Sequence, residues 1–264
     1  MKITHYLYNA FTIESQNKKL AIDPGGLFLY FLRLSTLIPK CEWPSITHIF
    51  LTHGDPDHYW HFDRVLKESG AEVVCNKTMV QERDGTSFML GPRNKGIAFT
   101  LPVNSPHTLE VGETIEVNGV KISGIKTVHG QLLLKLGPFS TTVKPGPTER
   151  VGWGALGFLI ELHGKTVLNL GDTLLQADDW KTLPSPDVLM IPIGGKVIHN
   201  TMNEEEALQA VEIIKPQLVI PCHYNCPAFF TKKYNPANES AFKKKVETLG
   251  ARCEIMRKGD SLNI

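Results

Sequence analysis

Residues 51–60 read LTHGDPDHYW, and this stretch decides how the rest of the chain is read. Two histidines and two aspartates fall between positions 53 and 58, at the end of the apolar run ITHIFL (46–51). In an extended backbone alternate side chains share one side, so His53, Asp55 and Asp57 point together. Pro56 has no amide hydrogen and ends regular pairing, which turns the chain and brings His58 towards them. Imidazole and carboxylate are ligand types that zinc, iron and manganese accept. The same residues also suit a helix entry, because Asp57 is a good N-cap.

Three further segments weigh against a mere helix cap. GIKTVHG (124–130), TVLNLGD (166–172) and QLVIPCH (217–223) each run from an apolar strand into a metal-ligating type: His129, Asp172 and His223. Strand ends converge on one edge of a sheet, so all seven groups can meet there.

Working outward, the chain begins with short strands in KITHYLYNAFTIES (2–15), broken near Asn9, and LAID (20–23) runs into Pro24-Gly25-Gly26. DHYWHFDRVLKESG (57–70) reads as a helix with Trp60, Val65 and Leu66 inward and Gly70 as its stop. Asn118-Gly119 and His163-Gly164 mark hairpin turns. LLLKLGPFSTTVKPGPTERVGWG (132–154), rich in Gly and Pro, reads as a long loop or flap. Asn203 with Glu206 suggests a capped helix with Ala207, Leu208, Val211 and Ile214 on one apolar face. A last helix over 238–250 carries Phe242, Val246 and Leu249. With no polar linker, the expectation is one domain over 1–264, an α/β (α+β) arrangement of two sheets with helices outside.

The pattern closely resembles the metallo-β-lactamase-fold hydrolase superfamily, whose signature is H-x-H-x-D-H followed by a later His, an Asp after Gly and a final His. Finer features, including NLGDT (169–173), IPIGG (191–195) and IKPQLVIPCHYN (214–225), resemble the branch with the bacterial ascorbate-phosphate lactonase and metal-dependent hydrolases of unknown substrate. The resemblance implies an αββα sandwich of two mixed β-sheets flanked by helices, with two divalent metal ions (Zn, Mn or Fe) at the edge. Carried over, one ion falls to His53, Asp55 and His129, the other to Asp57, His58 and His223, with Asp172 bridging and Asp23 orienting a ligand from behind. Two departures stand out. Leu7-Tyr8 occupies the first turn where many relatives have Gly-His, and Asp55 replaces the second histidine of the signature.

Asp55 changes the charge of the site. In the usual cluster two divalent ions outweigh two aspartates and a bridging hydroxide by one charge, and Asp55 cancels it. A carboxylate is also a harder ligand than imidazole, which tilts selection towards manganese or iron.

Composition bounds the function classes. Of 264 residues 42% are apolar, enough for a sizeable core, and 28 basic against 27 acidic residues leave no broad footprint for nucleic acid. The N-terminus alternates like a strand and lacks an uncharged apolar stretch, so no signal peptide is expected. Five scattered cysteines fit reduced thiols in a cytoplasmic protein; Cys222 and Cys226 flank His223 without a second pair, so they read as buried residues and not a zinc knuckle. GLFLYFLRLSTL (26–37) is too short to span a bilayer, and suits the core, a homo-oligomer interface or a lipid-like substrate.

The expected function is hydrolysis of a lactone, amide or phosphodiester in a small-molecule substrate by a hydroxide held between two metals, with an apolar group framed by 27–37 and 137–153. Asp57 would orient the hydroxide and take its proton, and His199 in KVIHNTM (196–202) would protonate the leaving group. His61 reads as packing beside the site. Two other readings are a di-iron redox or oxygen-binding protein and a non-catalytic metal-binding protein.

Overall fold

The computed structural model describes residues 1–26, 36–60, 62–83, 85–90, 100–136, 139–146, 149, 151–227 and 235–264. The chain opens with the meander β1 (Lys2–Leu7), β2 (Ala10–Ser15) and β3 (Lys18–Ile22), followed by β4 (His48–Leu51) and β5 (Glu72–Asn76). A small antiparallel sheet, β6 (Val80–Arg83), β7 (Thr86–Leu90) and β8 (Thr100–Pro102), precedes β9 (His107–Leu109). Then come β10 (Thr114–Val117), β11 (Val120–Ile125), β12 (Leu132–Leu136), β13 (Phe139–Val143), β14 (Gly157–Leu162) and β15 (Lys165–Asn169). The strands end with β16 (Val188–Pro192), β17 (Leu218–Cys222), β18 (Arg252–Cys253) and β19 (Ser261–Asn263).

Two seven-stranded sheets form, in the orders β19-β1-β2-β3-β4-β5-β9 and β10-β11-β14-β15-β16-β17-β18. Each is half antiparallel and half parallel. In the first the switch falls at β3, which pairs antiparallel with β2 and parallel with β4; in the second it falls at β15, between β14 and β16. Parallel strands leave their carboxyl ends together on one edge, where open α/β sheets place their sites.

Strand alternation divides the core into layers. Leu20 and Ile22, with Val188, Met190, Leu218 and Ile220, fill the space between the sheets. Ala21, Ile49 and Leu51 face α1 (Pro56–Tyr59) and α2 (Phe62–Ser69) through Phe62 and Val65. Leu168, Leu189 and Val219 face α3 (Ala177–Trp180), α5 (Glu204–Ile214) and α6 (Glu239–Thr248), while α4 (Gly195–Ile198) is a single turn near the site edge. The layers are helix, sheet, sheet, helix. Among the described residues no helix is long and apolar enough to cross a membrane.

Local chemistry explains the joints. Asn118-Gly119 and His163-Gly164 turn with positive φ at both positions, as a type I′ hairpin requires. Asn203 and Glu206 form a full capping box at the start of α5. Three expectations need correction. The 132–154 stretch is not all loop: β12 and β13 pair as a two-stranded ribbon, because cross-strand register overrides its Gly and Pro content. Leu249 is 43% exposed, since α6 ends before it and its apolar face is already served by Phe242 and Val246. Trp60 and Leu66 are only half-buried, and Phe62 fills the inner place beside Val65. The apolar stretch 26–37 falls mostly on 27–35, outside the described residues, as does His61.

Phe158 of β14 meets Phe50 of β4 edge-on across the core, with ring centres 5.4 Å apart. Phe158→Ala is expected to cost about 3–5 kcal/mol, lowering the urea midpoint with little change in slope. An unchanged midpoint would contradict this account of the interface between the sheets.

Candidate metal centre

The site edge is built from loops that leave strand ends. His53 follows β4, His129 follows β11, Asp172 follows β15, and His223 leaves β17 directly in a left-handed conformation with φ 52. Asp55 occupies the N-cap position of α1, with Pro56 as the first helical residue. The cap is therefore Asp55 and not Asp57. Its side chain makes no capping bond; it turns to the cluster instead.

The carried-over ligands fall into compact groups. The ligand atoms of His53, Asp55 and His129 lie within 4.8 Å of one another, as do those of Asp57, His58 and His223, and those of His53, His58 and Asp172. Asp172 spans both triads: Oδ2 is 3.2 Å from His223 Nε2 and 3.9 Å from His129 Nε2, and Oδ1 is 3.7 Å from His58 Nε2. Cys222 and Cys226 are buried and join none of these groups.

Each imidazole is oriented through Nδ1. His58 Nδ1 donates to Asp23 Oδ2 at 2.7 Å, and His129 Nδ1 to the Gly130 carbonyl at 2.7 Å. Thr52 Oγ1 donates to Asp23, so it accepts from His53 Nδ1 at 3.0 Å. His223 Nδ1 lies 2.8 Å from the Asn235 amide, whose Oδ1 has no partner. A half-turn of that amide gives the buried oxygen its partner and lets His223 Nδ1 donate. All four Nε2 atoms are then left for the cluster. Those of His53, His58 and His129 are buried without a hydrogen bond, as is Asp172 Oδ1. Leaving such buried polar atoms without partners is costly, and cations held by these groups would satisfy them. The donor set fits divalent zinc, manganese or iron.

Electrostatics point the same way. Burial opposes charge on His58 and His129, yet the carboxylates of Asp57, Asp23 and Asp172 push His58 well above the usual imidazole range, and Asp55 and Asp172 raise His129. Burial likewise opposes ionisation of Asp55 and Asp57, but the neighbouring histidines hold both below the ordinary carboxylate range. His53 is lowered by burial and by the charge of His58. The cluster attracts positive charge.

Beneath it lies a polar network that sequence reasoning left out. Asn9 and Asn169 exchange hydrogen bonds of 3.0 and 2.9 Å across the two sheets, and Asn9 also donates to Asp23 at 2.6 Å. Gly171, with φ 59, lets the second half approach the first: a Cβ there would come 2.7 Å from that of Thr52. Asn200 donates to Asp172 at 3.0 Å. The available signal was a lone asparagine in the apolar run TVLNL; Asn200 and Asn235 gave none. His199 caps α4 in a left-handed conformation with its ring exposed, and among the described residues its side chain makes no hydrogen bond to either triad.

Removing Asp23 frees His58 to rotate and unpairs Thr52, so Asp23→Ala should weaken metal affinity by about 10- to 100-fold, read by competition with a chelating dye. Raised folded-state values for His58 and His129 stabilise metal-free protein below the ordinary imidazole value of 6.5, and that stabilisation is lost as pH rises through the raised values. The Tm of chelator-treated protein should therefore fall above this value while metal uptake strengthens. A metal-free Tm that climbs through that window contradicts the assignment.

Comparison with known proteins identifies the family. Residues 2–223 match the family described as "Beta-lactamase superfamily domain". A "UPF0173 metal-dependent hydrolase" of Desulforamulus reducens is 30% identical over 269 residues, covering the whole of both chains. Among solved structures, Igni18, a metallo hydrolase from Ignicoccus hospitalis, matches with a TM-score of 0.68 at 21% identity, over 99% of this chain and 97% of that one. CmlA, a diiron beta-hydroxylase from Streptomyces venezuelae, matches with a TM-score of 0.64 at 12% identity, over all of this chain and 54% of its own. With a family match over most of its length, an αββα core and a histidine–aspartate cluster at the sheet edge, the chain belongs to the metallo-β-lactamase superfamily, as one of its metal-dependent hydrolases.

Proposed function

We propose that the protein uses two divalent ions to hydrolyse a lactone, amide or phosphodiester bond in a small-molecule substrate. His53, Asp55 and His129 hold one ion, Asp57, His58 and His223 the other, and Asp172 lies between them. The observation that carries this reading is the gathering of three buried imidazole Nε2 atoms that make no hydrogen bond, those of His53, His58 and His129, around the carboxylates of Asp55 and Asp172. Ions held there supply Lewis acidity and lower the pKa of a bound water towards neutrality.

The chain's own residues supply the rest. Asp57 is the most exposed carboxylate of the cluster, its side chain 24% accessible against 15% for Asp55 and 2% for Asp172. In this reading it accepts a proton from the attacking water, a role its greater exposure supports. Asn200 donates to Asp172 Oδ2 and so fixes the carboxylate that would lie between the two ions. His199, exposed beside it, protonates the leaving group. Asp55 turns into the first triad, which supports a neutral, carboxylate-rich cluster that polarises an anionic substrate less than its relatives do. That carboxylate also favours a second reading, a di-iron redox protein, distinguished by colour, iron near two per chain and oxidase activity.

Asp57→Ala should lower hydrolysis by about 10²- to 10⁴-fold in a screen of lactones, amides and phosphodiesters against each metal form, with the fold intact by circular dichroism. Full activity in this variant would remove Asp57 from its role, and a wild type inactive in every metal form would favour a non-catalytic metal protein. Elemental analysis after native purification should find manganese or iron, with one ion lost first under mild chelation; two tightly held zinc ions would contradict the role given to Asp55.

A further inference from the structure

Asp55 is held from two directions. Oδ2 lies 3.2 Å from His129 Nε2 and 3.6 Å from His53 Nε2, while Oδ1 accepts the Gly152 amide hydrogen at 3.0 Å. Gly152 belongs to the loop 151–156, and this loop zips onto the stretch that carries His53. Gly54 donates its amide to the Trp153 carbonyl at 2.8 Å, and Leu156 donates to the Thr52 carbonyl at 2.9 Å.

The packing leaves no slack between them. Gly152 takes φ 64, and a Cβ there would lie 2.3 Å from His129 Cβ. A Cβ on Gly54 would lie 2.6 Å from the Trp153 indole. Chain order adds a second connection. The ribbon β12–β13 leaves the cluster just after His129 and its chain returns through Gly152, so both stems end on ligands of the same triad. A cation held by this triad would draw Oδ2 and so fix the carboxylate whose Oδ1 accepts from the Gly152 amide.

We propose that Asp55 is a positioning residue as well as a ligand: through Gly152 it couples occupancy of the His53–Asp55–His129 triad to the loop 151–156, clamping Trp153 against the residues that carry His53. This rests on the two-ion reading only for the occupant of that triad. The aspartate that replaces the family's second histidine thus gains a second acceptor atom, which serves the loop.

Amide hydrogen exchange at Gly152 and Leu156 tests the coupling in wild type, Asp55→Asn and Asp55→Ala, each metal-free and with Mn²⁺ or Zn²⁺, alongside metal counts. In wild type, metal should slow exchange at both amides about tenfold or more. Asp55→Asn keeps an Oδ1 acceptor, so it should retain the metal-free rate of wild type and lose the metal-dependent slowing. Asp55→Ala should exchange faster at both amides in both forms, with β16 amides unchanged as the fold control. Two ions bound to wild type with no change at Leu156, or wild-type exchange in Asp55→Ala, overturns the proposal. If the metal count shows the first triad does not fill, the two-ion reading fails, and the metal-free rate of Asp55→Ala still decides whether Asp55 holds the loop.

Discussion

The arrangement hangs on one buried carboxylate, Asp23. Its two oxygens accept from the Thr52 amide at 2.8 Å, the Thr52 hydroxyl at 2.6 Å, the Asn9 amide at 2.6 Å and His58 Nδ1 at 2.7 Å. The residue is wholly buried and sits in the left-handed region with φ 45, a conformation that costs a non-glycine residue of order 1 kcal/mol or more. A carboxylate so far from water is tolerated because it accepts four hydrogen bonds, three at Oδ2 and one at Oδ1. Through Thr52 it sets His53, directly it sets His58, and through Asn9 and Asn169 it ties the first sheet to the second.

From that anchor the cluster acquires its chemical character. Nδ1 atoms spent on Asp23, Thr52, Gly130 and Asn235 leave the Nε2 atoms facing carboxylates, an arrangement that suits a divalent cation better than a proton. Asp55 is the departure from the H-x-H-x-D-H signature that the sequence resembles. As an N-cap it could have served α1, and the helix does without that bond. Its oxygens go to two histidines and to the loop at Gly152, so one substitution in the family signature alters the proposed site's charge and its connection to the neighbouring loop.

Much of this was legible from residues alone, for physical reasons. Strands buried on both faces show as unbroken apolar runs, and a residue of metal-ligating type just past such a run stands out, as His223 does after LVIPC. Hairpin turns at Asn118 and His163 were legible because few residues tolerate positive φ at both central positions. The ribbon at 132–143 was not, because Gly and Pro signal a break while pairing depends on register between segments. The small sheet near 80–102 escaped for the same reason. Asn200 and Asn235 were invisible, since a surface asparagine and a buried one that orients a neighbouring side chain look alike until the fold brings them to Asp172 and His223.

The most direct test of the proposed centre is anomalous diffraction at the manganese, iron and zinc edges from crystals of natively purified protein. The account predicts two peaks, each about 2.0–2.2 Å from the ligand atoms of one triad, with Asp55 bound to the first ion and Asp172 reaching both. A single peak at Asp57, His58 and His223, with Asp55 and His129 facing each other across no ion, would contradict it.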